Sequence, residues 1–437
     1  MRINRHRTLF ATVAVAAALA LTVAGCSSSD DSSDDNSAGD NSTYGLPANV
    51  TSGFTAVTVE NLGSPTFPFV GSDGRAHVAY ALQLTNAGLA PATLTKVEVV
   101  DASKPSAVLA SYSGPALSDP KCETGECNRL RVLPSTPAPD AVIPPGQSRA
   151  FLVDFAVDQV SDVPQTVLHR ISAKASANPG PGAPVDVTYT VAPKEVAAGT
   201  ARVISPPLRG TNWLAQNGCC GTDFPHVTSL APLSGALSNS QRFAIDWMRT
   251  DDQGRFYDGD KNNNDSYLSY GENIYAVADG TVSSTLDDMD ANAPGVLPAS
   301  DPVLAAKLTI ENVDGNHIIL DLGNGTWAMY AHLQKGSLQV KAGDKVKKGQ
   351  VIAKLGNTGN SNAPHLHFQL MNGPDLAGSD GLPYVFDTFD YAGYVDPAAI
   401  RVADDFLTGD YFAHHSTTPQ TRTDQLPLNE SIVNFAN

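Results

Sequence analysis

The sequence predicts an all-β protein, with an N-terminal β-sandwich followed by a second domain built on an antiparallel β-sheet. Three observations predict this fold class. Apolar residues recur at every second position in many short runs, which is the period of a half-buried strand. The chain of 437 residues contains 36 Gly and 30 Pro, which separate these runs with turns. Helical periodicity of useful length is not found.

The first 49 residues have the layout of an export signal and a tether. Several arginines precede an apolar run that ends in VAGC at Cys26, and this run is shorter than the roughly 20 residues a membrane span needs. VAGC resembles a bacterial lipobox, which would make Cys26 the lipidated first residue of the mature protein; an ordinary signal peptide is the alternative. We expect a lipoprotein signal peptide over 1–25 and a disordered Ser/Asp-rich tether over 26–49. The protein would then be exported and lipid-anchored to the outer face of the bacterial cell membrane.

Residues 50–197 are expected to form the sandwich. Runs such as HVAYALQL, RAFLVDFAV and VDVTYTV alternate apolar residues with smaller or polar ones, and Pro/Gly-rich turns separate them. The pattern loosely resembles an immunoglobulin-like accessory domain. His77 and His169 are isolated within strand patterns and are interpreted as packing or surface residues. A spacer or interaction module is the expected role.

Charge and cysteine content bound the function further. A net charge of -17 and a pI of about 4.8 argue against a nucleic-acid partner, which would require basic patches. In an oxidising compartment, Cys122, Cys127, Cys219 and Cys220 are expected to form disulfides. Cys122 with Cys127 would close a small loop, and Cys219 with Cys220 would form a vicinal bridge or pair elsewhere, so three pairings stay open. A structural zinc cluster is disfavoured because neither pair has the usual spacing.

The second domain, 198–437, carries the motifs that point to chemistry. AVADGTV, GNHIILDLGNG, YAHL and VKAGDKVKKGQVIAKLGNTGNSNAPHLHF follow one another along the chain. In this order they resemble the LytM/lysostaphin-type zinc endopeptidases, which cut peptide bonds in bacterial cell walls. The resemblance covers a core of about 225–375, followed by a C-terminal extension, and the Gly-rich hairpin leading into His-x-His is its most specific part. It implies a compact antiparallel sheet with the site in a groove.

The resemblance also implies roles for individual residues. Asp246 and His367 match the zinc ligands of the family, and His332 and His365 match two unligated histidines that assist hydrolysis. One zinc ion would lower the pKa of water and polarise the scissile carbonyl, while an imidazole moves the proton. Independently, Asp246 ends an otherwise apolar run, QRFAIDWM, where a carboxylate needs a cationic partner. A surface salt bridge is the simpler reading of that run.

One position departs from the family pattern. The first motif, His-x-x-x-Asp, would supply a third ligand four residues before Asp246, but this chain has Arg242 there. Arginine has no lone pair to give, and strand periodicity predicts Arg242 and Asp246 on one face. Three outcomes are open: His226, or less favourably His414 or His415, replaces the ligand; Arg242 pairs with Asp246 in a metal-free site; or zinc binds weakly. Arg242 is therefore either a substrate-binding residue or a replacement for the metal.

Two functions from different classes follow. The first is an exported, lipid-anchored zinc metallo-endopeptidase acting on peptidoglycan. The second is a degenerate LytM-like domain that binds the wall or regulates a cell-wall hydrolase partner. A swivelling carrier domain is a weaker third hypothesis. His317 is expected to be a packing residue, and the loop DGDKNNNDSY is only faintly similar to a calcium loop, so it favours a solvated turn.

Overall fold

The computed structural model describes residues 53–63, 66–122, 126–180, 182–196, 199–222, 225–233, 235–375, 378–396 and 413–437. The predicted signal peptide, Cys26 and the tether lie outside this range. Within it, the chain is almost entirely strand and nearly all strand pairs are antiparallel, which confirms the predicted fold class. The helices found in these segments are short, and none is long and apolar enough to cross a membrane.

The strands of the first region alternate between two sheets. One sheet has the order β1-β3-β9-β6-β7 with β2 paired to β3, and the other has β11-β10-β4-β5 with β8 paired to β4. Two 3₁₀ turns, Gly114–Ala116 and Val160–Asp162, connect strands. The strands are β1 Val57–Leu62, β2 Phe69–Val70, β3 Ala76–Asn86, β4 Ala92–Asp101, β5 Val108–Ser113, β6 Leu130–Val132, β7 Thr136–Pro137, β8 Val142–Ile143, β9 Ser148–Val157, β10 Thr166–Ala175 and β11 Val185–Glu195.

Strand β3 is buried on both faces. Val78, Tyr80 and Leu82 point into the core between the two sheets, as the alternating pattern predicts. The residues between them, Ala79 and Ala81, are also almost inaccessible, at 4% and 0% exposure. Their burial shows that the outer face of this sheet is covered by the second half of the chain.

The second region contains the remaining strands and two single-turn helices. The 3₁₀ turns here are Asn264–Ser266 and Pro298–Ser300. The helices are α1 Pro225–Thr228 and α2 Pro302–Ala305, and the strands are β12 Arg202–Ile204, β13 Gly210–Gln216, β14 Ala231–Leu233, β15 Ala236–Ser238, β16 Ile245–Arg249, β17 Asn273–Tyr275, β18 Gly280–Leu286, β19 His317–Asp321, β20 Trp327–Ala331, β21 Lys345–Val346, β22 Val351–Lys354, β23 Leu366–Met371, β24 Gly381–Leu382, β25 Tyr384–Phe386, β26 Phe389–Val395, β27 Ala413–Arg422 and β28 Ser431–Phe435.

A long sheet organises this region, in the order β21-β18-β19-β20-β23-β16-β13-β28-β26-β27, with β24 paired to β23. Its central strands β20, β23 and β16 are antiparallel neighbours. Their register sets His367 opposite Asp246 on one side and opposite Ala331 on the other. Residues far apart in the chain therefore meet at the middle of one sheet.

The two regions pack against each other through apolar and backbone contacts. Phe69 meets Phe243 edge-on with ring centroids 5.6 Å apart, and Gly71 forms a β-bridge with Leu426. Each region keeps its own large apolar cluster. We retain the division of the chain near residue 197 as a proposal that these separate clusters support.

The cysteines of the described residues form two local disulfide bonds. Cys122 joins Cys127, and Cys219 joins Cys220. Of the three ways to pair these four cysteines, the structure has the one that consists of two local bridges.

Candidate metal centre

Asp246 lies on β16 at the middle of the long sheet, with its carboxylate turned away from the apolar core. Its neighbours Ile245 and Trp247 are fully buried in that core, as strand alternation requires. Strand β13 ends opposite it at Gln216. The next residue, Asn217, has a left-handed backbone (φ 57°) and donates from Nδ2 to Asp246 Oδ2 at 2.7 Å. This hydrogen bond fixes the orientation of the carboxylate.

His367 faces Asp246 across the strand pair. Its Nε2–H donates to Gln369 Oε1 at 2.8 Å, which leaves the Nδ1 lone pair pointing at Asp246 Oδ1, 2.9 Å away. Two acceptors this close repel unless a proton or a metal ion lies between them. An orienting hydrogen bond on the far ring nitrogen is also typical of a metal-binding histidine.

His226 completes the group from outside the sheet. It lies on α1, where its Nδ1–H donates to Ala244 O at 3.1 Å and its Nε2 lies 3.4 Å from Asp246 Oδ2. Its ring packs edge-on against that of His367, with centroids 4.7 Å apart. One donor atom from each of His226, Asp246 and His367 lies within 4.8 Å of the others, and all three residues are buried. The structure thus brings His226 to the place where the sequence lacked a third donor.

The buried carboxylate of Asp246 needs a neighbouring positive charge, which a proton on His367 or a metal ion can supply. Burial lowers the pKa of His367, but the hydrogen bond and the charge of Asp246 outweigh it and raise this pKa above its usual value. Burial alone would raise the pKa of Asp246, but His226 and His365 and hydrogen bonds from His365 and His367 lower it well below its usual range. Burial lowers the pKa of His226 to about 4, so this ring is neutral and carries a lone pair. Two imidazoles and one carboxylate are a usual donor set for a zinc site that keeps a position open. The residues present therefore fit a zinc ion.

The three donor residues line a cavity, and His332 and His365 line it as well. Neither of these two histidines belongs to the donor group. Nδ1–H of His332 donates to Thr358 O and that of His365 to Ala363 O, both at 2.8 Å, so each Nε2 is available. The two rings lie 4.7 Å apart, and His365 Nε2 is 3.4 Å from Asp246 Oδ1. Burial, followed by the neighbouring imidazoles, holds the pKa of His332 well below its usual range, which keeps this ring a proton acceptor.

The path of the chain at His332 differs from the strand alternation that the sequence predicts. Tyr330 points into the apolar core, where its hydroxyl accepts a hydrogen bond from Val277 N. Strand β20 ends at Ala331, and His332 follows with a positive φ of 60°. This left-handed residue aims the His332 side chain at the cavity, whereas Tyr330, two residues earlier on the strand, points into the apolar core.

The cavity has a volume of about 380 Å³, and sequence reasoning missed three residues in and around it. Asn217 and Gln369 orient Asp246 and His367, as described above. Asp314 lines the wall at 7% exposure, and burial raises the pKa of its carboxyl to about 6. Gln369 could have been suspected, because it lies two residues after His367 on the same strand face. Asn217 and Asp314 lie in loops whose sequences give no such signal.

Arg242 lies outside the lining of this cavity. The strand begins only at Ile245, and a turn closed by Ala244 N donating to Gln241 O precedes it, so the alternation predicted to join Arg242 and Asp246 does not hold. Burial lowers the pKa of Arg242 to about 10, with Asp380 acting against this shift. Its charge is also among the causes that lower the pKa of Lys194, on β11 of the sandwich.

The other histidines considered from sequence lie away from the cavity. His317 Nδ1–H donates to Gly315 O at 2.8 Å. His414 stacks on Tyr394 in the β26–β27 pair, and His415 follows it on β27. None of the three is among the residues that line the cavity in the described chain.

Comparison with known proteins finds similarity over a segment that carries three of these residues. Residues 262–378 match peptidase family M23, a segment that contains His332, His365 and His367. Peptidoglycan DD-endopeptidase ShyC of Vibrio cholerae is 38% identical over 85 residues, covering 18% of this chain and 19% of the relative. Lysostaphin of Staphylococcus simulans is 52% identical over 58 residues, covering 13% of this chain and 11% of the relative.

These matches are local, since the chain spans about a fifth or less of the length of both relatives. The solved catalytic domain of the antimicrobial peptidase lysostaphin from Staphylococcus simulans is 22% identical to this chain. That match covers 35% of this chain and 80% of the lysostaphin domain, with a TM-score of 0.20. Residues 262–378 of this chain are thus similar to peptidase family M23, and the similar proteins include lysostaphin.

Proposed function

We propose that this protein is an active zinc metallo-endopeptidase that hydrolyses peptide bonds of bacterial peptidoglycan. The observation that carries the proposal is the convergence of His226, Asp246 and His367 beside His332 and His365, two histidines whose Nδ1 atoms are held by backbone carbonyl groups. The names of the relatives, a peptidoglycan endopeptidase and lysostaphin, support the choice of substrate.

The residues divide into holding and proton-moving groups. His226, Asp246 and His367 would hold zinc, which supplies Lewis acidity toward a scissile carbonyl and lowers the pKa of water to about 7. His332 and His365 are fixed through their Nδ1 atoms, so each presents an Nε2 lone pair in the cavity. One accepts the proton of the attacking water, and the protonated imidazole then gives this proton to the leaving amine, while the other ring lies beside the reacting groups.

The degenerate, metal-free alternative rested on Arg242 standing in place of a ligand. The geometry favours the enzyme over that alternative, because His226 contributes the missing imidazole and Arg242 lies outside the cavity lining. A wall-binding or regulatory module would also have no use for two further histidines held with their acceptor atoms in the cavity.

We also propose that the protein is exported and lipid-anchored at Cys26. The charged and apolar N-terminal segment ending in VAGC supports this. Peptidoglycan lies outside the cell membrane, so the proposed location and the proposed substrate agree. Cys26→Ala should abolish lipidation, as read by intact mass and by partition between membrane and soluble fractions.

Zinc content and wall hydrolysis test the function together. The full-length protein, reconstituted with zinc, should bind one equivalent and release soluble fragments with new amino termini from purified peptidoglycan. His226→Ala should lower zinc affinity by more than about 100-fold and abolish release, since two donors remain. His414→Ala is the matched control and should behave as the wild type. A wild-type protein that binds no zinc and leaves peptidoglycan intact would sink the proposal.

A further inference from the structure

We propose that the β-sandwich is a positioning element of the metal centre: the outer face of its β3–β9 sheet holds α1 so that His226 reaches Asp246 and His367. The inference rests on the proposed function and adds a role for the accessory domain. It also connects the departure at Arg242 with the presence of the sandwich.

The contact is an apolar cluster shared by the two regions. Val227 and Leu230, immediately after His226, are buried against Ala81, Ala150 and Leu152. Ala81 and Leu152 lie directly opposite each other on β3 and β9, so the contact surface is a continuous patch of one sheet. Alanine at two of its three positions leaves room for α1 to approach the sheet closely.

Polar contacts fix the segment on both sides. On the sandwich side, Thr222 Oγ1 donates to Cys127 O. On the side of the metal centre, in the loop that leads into β16, Asn239 Nδ2 donates to Val227 O at 2.9 Å and Ala244 O accepts from His226 Nδ1–H. The segment with His226 is therefore clamped between the sandwich and β16.

A single helical turn needs such a clamp. Helix α1 has four residues, far fewer than an isolated helix requires for stability in water, so its position depends on the surfaces that cover it. A ligand on a strand, such as Asp246 or His367, is held by the backbone hydrogen bonds of its neighbours. His226 has no strand to hold it, and the apolar face of the sandwich takes over this task.

The surroundings of Arg242 agree with a positioning role for the sandwich. Its charge acts on Lys194 of the sandwich, and the opposing carboxylate is Asp380, which accepts a hydrogen bond from Asn239 N at 3.0 Å. The position that would supply the third ligand by local spacing thus lies near the junction with the sandwich. The ligand itself comes from a segment which that junction holds.

Two adjacent residues on β9 give a matched pair of variants. Leu152 and Val153 are both 2% exposed, but Leu152 faces α1 and Val153 faces the core between the sandwich sheets. Leu152→Ala should weaken zinc binding about tenfold or more, the range expected for groups that orient a ligand. Val153→Ala should leave zinc affinity within about twofold of the wild type while it lowers thermal stability in the same manner.

The measurement is the zinc dissociation constant of the full-length protein, from competition with a chromogenic chelator, together with thermal unfolding of each variant. Val227→Ala tests the contact from the α1 side and should also weaken zinc binding about tenfold. In the double variant the two losses should fall short of additivity, because both substitutions remove one shared contact.

The outcomes separate the inference from the proposed function. If the wild type binds zinc, His226→Ala loses it, and Leu152→Ala and Val227→Ala keep wild-type affinity, the positioning role is overturned and the proposed function stands. If the wild type binds no zinc, both are overturned. Should Leu152→Ala fail to fold, Val227→Ala alone decides, since it lies outside the sandwich strands.

Discussion

Two groups of histidine and acidic side chains in this protein have opposite compositions. In the sandwich, one histidine, His77, lies between two carboxylates, with Nε2 3.1 Å from Asp73 Oδ2 and Nδ1 3.5 Å from Asp154 Oδ1. At the sheet centre, one carboxylate, Asp246, lies among three histidines of the described chain. Both groups contain atoms close enough to hold a metal, since His77 and Asp154 approach Cys220 in the same way.

The ratio of acids to imidazoles decides what each group can do. Burial alone would lower the pKa of His77, but hydrogen bonds to Asp154 and Asp73 raise it to about 9, so the ring is a cation with both nitrogens engaged. Cys220 is in a disulfide and has no thiolate to offer. At Asp246 the imidazoles outnumber the acid, and His226 stays neutral with a free lone pair. The two groups therefore differ in composition: both nitrogens of His77 face carboxylates, whereas Asp246 has the neutral ring of His226 beside it as a further donor.

The largest expected effect separates the proton-moving histidines from the ligands. His332→Ala and His365→Ala should each lower kcat by about 10²- to 10⁴-fold, since each removes a group that transfers a proton. Zinc should remain bound at one equivalent, because neither residue belongs to the proposed donor set. Zinc content and rates of peptidoglycan digestion check this, with His77→Gln as the control that should alter neither. Loss of zinc in His332→Ala or His365→Ala would contradict the division of roles.

The next effect concerns the stability contributed by His77. Its folded-state pKa of about 9 lies above the ordinary histidine value of 6.5, so the stabilisation is complete below pH 6.5 and is lost as the pH rises toward 9. At about 1.4 kcal/mol per pKa unit, the difference between these two pKa values corresponds to about 3 kcal/mol of stabilisation from the contacts of His77 with Asp73 and Asp154. Chemical denaturation at several pH values should show the free energy of unfolding falling over this range in the wild type. The fall should be much smaller in His77→Gln.

Three other groups bear on the same measurement. In the metal-free protein, His367 contributes a fall of the same sign, because burial lowers its pKa but the hydrogen bond with Asp246 outweighs burial and raises it. The comparison of His77→Gln with the wild type is therefore made on zinc-loaded protein. Lys194, whose pKa burial lowers to about 8, acts with the opposite sign above that pH, so pH 6.5 to 8 is the cleanest window. His169 is the matched control, because burial lowers its folded-state pKa to about 4, so that above about pH 7.5 its ring is neutral in both the folded and the unfolded protein. His169→Gln should lower stability without changing the slope. An unchanged slope in His77→Gln would show that His77 is not the titrating group.

The smallest effect is expected at Arg242. Arg242→His should change zinc affinity by less than about twofold, because the side chain at this position lies outside the lining of the cavity. Arg242→Met serves as the control for loss of the charge alone. A tenfold gain in zinc affinity for Arg242→His would show that this position faces the metal centre and would weaken the case for His226.

Much of the fold and several site residues could be predicted because their signals are local. Strand alternation places apolar residues such as Tyr80 in the sandwich core, and the Gly-rich hairpin marks the strand that carries His367. Asp246 was conspicuous as a carboxylate in an apolar run. Each of these signals depends on near neighbours in the chain, which a sequence displays directly.

The features that the sequence did not predict depend on where strands end and on elements that are distant in the chain. The resemblance placed His332 in the site, but strand alternation does not give its direction, because it reaches the cavity through one left-handed residue at the end of β20. Asn217, which was missed, orients Asp246 from a similar left-handed residue after β13. Asp314 lies in a loop before β19, and its burial depends on the elements that surround it. Strand alternation fails where a strand ends, so the direction of these side chains does not follow from their spacing.

The sequence alone determined the all-β architecture, the local cysteine pairs as candidates and the residues that meet on neighbouring strands. Only the tertiary structure shows which residue is the third candidate donor. His226 lies 20 residues before Asp246, and no strand or helix periodicity relates the two positions. It also decided that Arg242 stays outside the cavity lining, because the chain turns before β16 begins. On a strand, backbone hydrogen bonds fix the direction of each side chain, so this direction follows from the position of the residue in the sequence. The position of α1 depends instead on the apolar surfaces that cover it.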